Sequence, residues 1–165
     1  MPDRGRVVVS NTTPIITLSL IGKLDLMRDL YGEVLIPPAV YTEILVGGKN
    51  RSGIADLQAA EWIRVQPLVD PRRALLLPDL DLGEAEAITL AMDIDADLLL
   101  MDERLGRRYA QRVGLVITGS VGILLKAKEM GKVDQLGPLI DQLRAEGIRL
   151  SDELVDEALK LANEQ

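Results

Sequence analysis

The sequence predicts an α/β protein of three layers, α/β/α, with a central, mostly parallel sheet of four to five strands. Short β-branched or leucine-rich runs alternate with helical stretches along almost the whole chain, the pattern of a parallel sheet covered on both faces. The first of them, Val7-Val8-Val9, is β-branched throughout, as suits a strand buried on both faces. At 165 residues with 47% hydrophobic content, the chain can bury a proper core. One domain is expected, with residues 132–165 as a C-terminal helical extension.

Val7-Val8-Val9 reads as the first strand, and Ser10-Asn11-Thr12-Thr13-Pro14 as a sharp corner into a helix from Pro14 to Leu20 that Gly22 ends. Lys23 to Tyr31 is an amphipathic helix with Leu24, Met27, Leu30 and Tyr31 at helical spacing. Glu33 to Ile36 is a short strand stopped by Pro37-Pro38, and Pro38 suits the first turn of a helix from Ala39 to Val46. Gly47-Gly48 ends that helix, and Lys49 to Ser52 reads as a polar loop. Ile54 to Glu61 is a helix and Trp62 to Val65 the third strand. Pro67 to Asp81 is the least regular stretch and crosses the sheet.

Gly83 to Asp93 forms a strong helix, and Ala96 to Met101 a fourth strand ending in Asp102-Glu103. Glu103 to Val113 is a helix, and Leu115 to Ile117 a fifth strand followed by Thr118-Gly119-Ser120. Helices Ser120 to Met130, Leu136 to Glu146 and Ser151 to Asn163 complete the chain. Ser151 caps the last of them, with Asp152 and Glu153 in its first turn.

Composition removes whole classes of chemistry. There are no cysteines and no histidines, which excludes thiol nucleophiles, Cys/His zinc sites and imidazole acid–base catalysis. Carboxylates, hydroxyls, Lys and Arg remain. A net charge of −7 argues against a general nucleic-acid coat protein without excluding a local basic face. With no Phe, one Trp and three Tyr, base reading by aromatic platforms is disfavoured. No apolar run reaches membrane-spanning length and no signal-peptide pattern begins the chain, so a cytoplasmic protein is expected.

In an open α/β sheet, ligands bind beyond the carboxyl ends of the strands. The first corner offers oxygens there, from Ser10, Asn11, Thr12 and Thr13, although the same residues would serve as helix caps. Asp102 should emerge at the same edge, or act as an N-cap itself. Glu84 and Glu86, two residues apart on a helix, point in different directions, so at most one faces a shared site. Glu43 lies among Val40, Ile44 and Leu45; turned inward it needs a partner, turned outward it is solvated. Two carboxylates at about 5 Å repel by roughly 3 kcal/mol at a dielectric near 20, so a converging cluster needs shared protons or a cation. Oxygen-only ligands select a hard ion, Mg²⁺ or Mn²⁺, which activates water and neutralises a phosphodiester's developing charge. Arg104, Arg107, Arg108 and Arg112 fall mostly on one face of the helix beside Asp102, as a landing surface for phosphates or as a salt-bridged solvated face.

Taken in order, Val7 to Pro14, Ile36 to Leu45, Gly83 to Ile88, Leu98 to Arg104 and Thr118 to Ser120 resemble the PIN domain, the metal-dependent ribonuclease fold of VapC-like toxins. The resemblance covers residues 7 to 131, closest to a PIN-like subfamily of prokaryotic proteins of unknown function. It implies an RNA-hydrolysing toxin of a toxin–antitoxin pair, using Mg²⁺ or Mn²⁺, with an antitoxin as partner; a homodimer is common in such toxins, and the apolar N-terminal helices suit one. Glu43, Glu84 and Asp102 match the family's acids, Glu103 stands where an Asp follows the last of these, and Thr118 and Ser120 match hydroxyl or acid positions. Glu86, Ser10 and Thr12 would support the cluster. Asn11 falls where the first acid usually stands, and an Asn carbonyl can still ligate. The alternative is a binding module on the same fold with a weakened or inactive site. A phosphoacceptor receiver fits less well, since it wants two acids near strand one and an Asp ending strand three, where Asn11 and Val65-Gln66 stand.

Overall fold

The computed structural model describes residues 6–47 and 51–165. Its five strands, β1 (Val8–Ser10), β2 (Val34–Ile36), β3 (Ile63–Val65), β4 (Leu98–Leu100) and β5 (Ile117–Thr118), form one sheet in the order β3-β2-β1-β4-β5. Every pairing is parallel, with Val9 opposite Leu35 and Leu99, and Leu100 opposite Thr118. Among the described residues nine α-helices accompany them: α1 (Thr12–Leu20), α2 (Asp25–Tyr31), α3 (Pro38–Val46), α4 (Arg51–Ala59), α5 (Leu82–Asp93), α6 (Arg104–Arg112), α7 (Ser120–Glu129), α8 (Gly137–Ala145) and α9 (Asp152–Leu161). The expected three-layer α/β/α arrangement is the one observed.

Each central strand buries both faces by alternation. Val8, Leu98 and Leu100 face the cluster built with α1, α2, α7, α8 and α9, whereas Val9, Leu99 and Met101 face the one built with α5 and Ala110 of α6. The chain therefore leaves β1 towards one face of the sheet and β4 towards the other. Between them lies the crevice in which ligands of open α/β sheets bind. The amide of Asn11 continues the ladder to the Leu100 carbonyl at 2.9 Å, which fixes the Asn11 backbone at the mouth of that crevice.

Several boundaries differ from expectation. The fifth strand is Ile117–Thr118 rather than Leu115 to Ile117; Leu115 instead bonds back to the Ala110 carbonyl in the turn after α6, where Gly114 takes a positive φ. Arg51 and Ser52, expected in a loop, begin α4, while Gly48, Lys49 and Asn50 lie outside the described residues. The irregular stretch 67–81 contains a 3-10 helix, Pro71–Leu76, started by Asp70 and packed on α5, and it carries the chain from edge strand β3 back past β2 and β1. The apolar side chains Ile15 and Leu18 of α1 are fully buried in the chain's own core, so that helix does not offer them to a second copy. No helix among the described residues is long and apolar enough to cross a membrane.

The C-terminal helices are tied in by one acid. Glu164 accepts the amides of Leu136 at 2.7 Å and Gly137 at 2.9 Å, closing the N-terminus of α8, and pairs with Lys128 of α7 at 2.6 Å. Burial opposes its charge, but the Lys128 ammonium and the two amides outweigh that, holding the carboxyl down at about 2. A depressed carboxyl stabilises the fold above its unfolded value and loses that contribution as pH falls through its folded one. Glu164→Gln is accordingly expected to cost about 1–2 kcal/mol in urea denaturation near neutrality, with the gap to wild type closing as pH falls from about 4.5 towards 2.

Candidate active site

Five carboxyl groups meet at the carboxyl edge of the sheet, and local sequence explains how each arrives. Asp102 and Glu103 leave the end of β4. Asp102 turns towards the N-terminus of α7, where its Oδ1 accepts the Ser120 amide at 2.7 Å and its Oδ2 the Ser120 hydroxyl at 2.6 Å. Glu103 turns the other way, to the start of α1: its Oε2 accepts Asn11 Nδ2 at 3.0 Å and its Oε1 the Thr13 hydroxyl. Glu43 reaches across from α3, accepting the Thr12 hydroxyl at 2.6 Å and the Gly83 amide at 2.9 Å. Glu84 opens α5 one residue later, and Asp81, the N-cap of that helix, accepts the Glu84 amide at 2.8 Å.

Three glycines make room for three of these acids. A Cβ on Gly83 would lie 2.7 Å from Glu43 Cδ, one on Gly106 would lie 3.0 Å from Glu84 Oε2, and one on Gly119 would lie 2.8 Å from Asp102 Oδ1. Gly106 and Asp81 are absent from the expected site. The signal for Gly106 was available: an interior helical glycine costs about 1 kcal/mol against alanine and so implies a close neighbour.

The electrostatics record the convergence. Burial first, then a hydrogen bond to Asp81 and the charges of Asp81, Glu103 and Glu43, push the Glu84 carboxyl up to about 8. Burial also raises Asp102, helped by the Glu103 charge, against the Ser120 hydrogen bonds and the Arg107 charge that pull it down. Asn11 is 2% exposed, and its Oδ1 is buried without a hydrogen-bond partner. Such an orphan costs about 1–3 kcal/mol. Turning the amide over would set that oxygen against the Glu103 carboxylate, so the hydrogen bond to Glu103 fixes its orientation.

Not every expected residue joins the cluster. Glu86, two residues beyond Glu84 and roughly opposite on α5, is buried on the far side, where its Oε1 accepts the Ala39 amide at 3.0 Å and caps α3. Ser10 is fully buried and donates its hydroxyl to the Asn11 carbonyl at 2.9 Å. Thr118 stands beside Asp102 in the wall of a neighbouring cleft. On α6, Arg104, Arg108 and Arg112 are exposed, with Arg112 over the Tyr109 ring at 5.9 Å. Arg107 is half-buried and turned towards Gly119 and Asp102. Among the described residues none of the four forms an ion pair, whereas Arg28, Arg64, Arg72, Arg73 and Arg144 all do.

A protein-family model described as PIN domain matches residues 7–164. This chain belongs to the PIN-domain family. No curated protein matches it. The PIN domain is a nuclease-type fold, its members are generally nucleases, and PIN nucleases typically use divalent metals. In this PIN domain the donor chemistry fits such an ion: only oxygen ligands are present, Asn11 Oδ1 has no donor opposite it among the described residues, and the charges that act on Glu84 are those of other acids. As they stand, Glu43, Glu103 and Asp102 rest on their own hydroxyl and amide donors. No three acidic side chains among the described residues are gathered closely enough to hold one ion.

A carboxyl raised in the folded chain keeps its proton after the unfolded chain has lost it, so its contribution weakens the fold as pH climbs from about 4.5 through about 8. Without added metal, Glu84→Gln should therefore exceed wild type in stability by on the order of 2 kcal/mol at about pH 9 and match it near pH 4, as read by urea titration.

Proposed function

We propose that this PIN domain is a divalent-metal-dependent endoribonuclease that hydrolyses RNA phosphodiester bonds. Glu43, Glu84, Asp102 and Asn11 would hold Mg²⁺ or Mn²⁺, and the observation that carries the reading is the buried Asn11 Oδ1, without a hydrogen-bond partner among the described residues, beside a Glu84 carboxyl on which three other acids act. A bound ion of this kind supplies a water nucleophile and stabilises charge developing on the phosphodiester.

The chain's own groups do the positioning. Ser120 orients Asp102, Thr12 orients Glu43, and Asn11 with Thr13 orients Glu103. Glu103 supplies at this corner the negative charge that Asn11 lacks. Arg107 offsets charge next to Asp102, and the exposed Arg104, Arg108 and Arg112 draw the RNA backbone in. The cellular role that goes with this reading is the toxin of a toxin–antitoxin pair, cytoplasmic, partnered by an antitoxin and acting as a homodimer.

A second reading has its own observation. Asn11 is neutral, and among the described residues no three acids are close enough together to hold one ion, which favours a binding module that holds RNA without cutting it. Cleavage of labelled single-stranded RNA with Mn²⁺, with and without chelator, decides between them. The nuclease reading expects metal-dependent cleavage by wild type, reduced about a hundredfold or more in Glu43→Gln, Glu84→Gln and Asp102→Asn.

Asn11→Asp would place a carboxylate about 3 Å from that of Glu103, a repulsion of roughly 5 kcal/mol at a dielectric near 20. That variant should be less stable without metal and no more active than wild type, and Asn11→Asp with Glu103→Gln should recover stability. Cleavage by Asn11→Asp alone would transfer the assignment to the binding module; cleavage by neither protein would sink the nuclease.

A further inference from the structure

A cleft of about 630 Å³ opens beside Asp102. Its inner wall belongs to the candidate active site, through Asp102, Glu103 and Ser120. Its outer wall comes from the far end of the chain: residues 147–150 between α8 and α9, and Leu154 on α9 itself. Aliphatic side chains dominate that outer wall, namely Ile148, Leu150 and Leu154, with Val121 of α7 opposite. Arg107, whose charge also acts on Asp102, and Arg149 complete the lining, and among the described residues neither forms an ion pair.

The outer wall is built rather than loosely draped. The Ile148 amide bonds the Leu143 carbonyl at 3.0 Å after Gly147 has turned the chain at φ 88°. Arg144 reaches past the turn to the Leu150 carbonyl at 2.8 Å and to Asp152 at 3.0 Å. Ser151 then caps α9 by accepting the Leu154 amide at 3.1 Å. These bonds occupy Arg144 and leave the neighbouring cation, Arg149, exposed at the cleft.

An occupant of this space must present an anion to two guanidiniums, a flat or apolar body to aliphatic side chains, and continuity with whatever lies at Asp102. A nucleotide of single-stranded RNA has all three. We infer that the cleft seats the nucleotide next to the scissile phosphate, with Arg149 and Arg107 on its phosphate and Ile148, Leu150 and Leu154 against its base. This rests on the ribonuclease reading and extends it, because residues from the C-terminal helical extension then complete the substrate site. Only aliphatic groups meet the base on that wall, and such contacts discriminate poorly among bases. The seat therefore accepts all four nucleotides with little preference.

Full-length protein and a fluorescent single-stranded RNA carrying 4-thiouridine, held in chelator to prevent cleavage, test this by anisotropy and photocrosslinking. Arg149→Ala should weaken binding about tenfold and lower the salt-dependence slope by about 0.7, the share of one single-strand phosphate contact. Arg149→Lys should restore the slope. Leu154→Ser should weaken binding without changing the slope, and Lys160→Ala, an α9 cation outside the cleft, should leave binding unaltered. Crosslinks should fall within residues 147–154. Unchanged affinity and slope in Arg149→Ala, with crosslinks elsewhere, would overturn the assignment even if wild type cuts RNA, and would give the apolar wall to another occupant such as a peptide. Wild type that neither binds nor cuts RNA would remove both this inference and the ribonuclease reading.

Discussion

Like charges crowded at one edge of a parallel sheet are the constraint on which this structure turns. β1 and β4 are neighbours whose chains depart to opposite faces, and the crevice between them receives Glu43 from α3, Glu84 from α5, and Asp102 and Glu103 from β4. Repulsion between any two of them at about 5 Å is roughly 3 kcal/mol at a dielectric near 20. The fold offsets part of this with neutral donors: hydroxyls of Thr12, Thr13 and Ser120, and amides of Gly83 and Ser120. Burial first, and then the hydrogen bond to Asp81 and the charges of Asp81, Glu103 and Glu43, raise the Glu84 carboxyl.

That balance explains why Asn11 and Glu103 belong together. An amide can donate to a carboxylate where an aspartate would repel it, so Asn11 steadies Glu103 while keeping its own oxygen buried and free. What reads along the chain as the loss of one acid is, in three dimensions, an acid standing one strand away. Substituting the amide cannot be judged without its partner.

β1, β2 and β4 were legible because each is a short apolar run closed by polar or proline punctuation, and the corner at Asn11 followed from the first of them. The acids were legible as candidates because they sit at strand ends and helix starts. Their partners were not. That Glu84 and Glu86 part company follows from helical periodicity, but that Glu86 caps α3 through Ala39 depends on how α3 and α5 pack, forty-seven residues apart in sequence. Leu115 and Val116 have strand composition, yet the register with Leu99 and Leu100 begins at Ile117 because the Gly114 turn uses the Leu115 amide. That Arg107 of α6 and Arg149 of the α8–α9 turn line one cleft depends on how distant elements pack, and no local pattern encodes it.

The glycine seats have a practical side. Replacing helical glycines with alanine is a standard way to stiffen a protein, worth up to about 1 kcal/mol at a tolerant site. Gly83 and Gly106 both lie in helices and would attract such a substitution from anyone working from secondary structure alone. At these two positions the added methyl would occupy space now held by the Glu43 and Glu84 carboxyls. At these seats the substitution that stiffens a helix elsewhere would instead displace a carboxyl group.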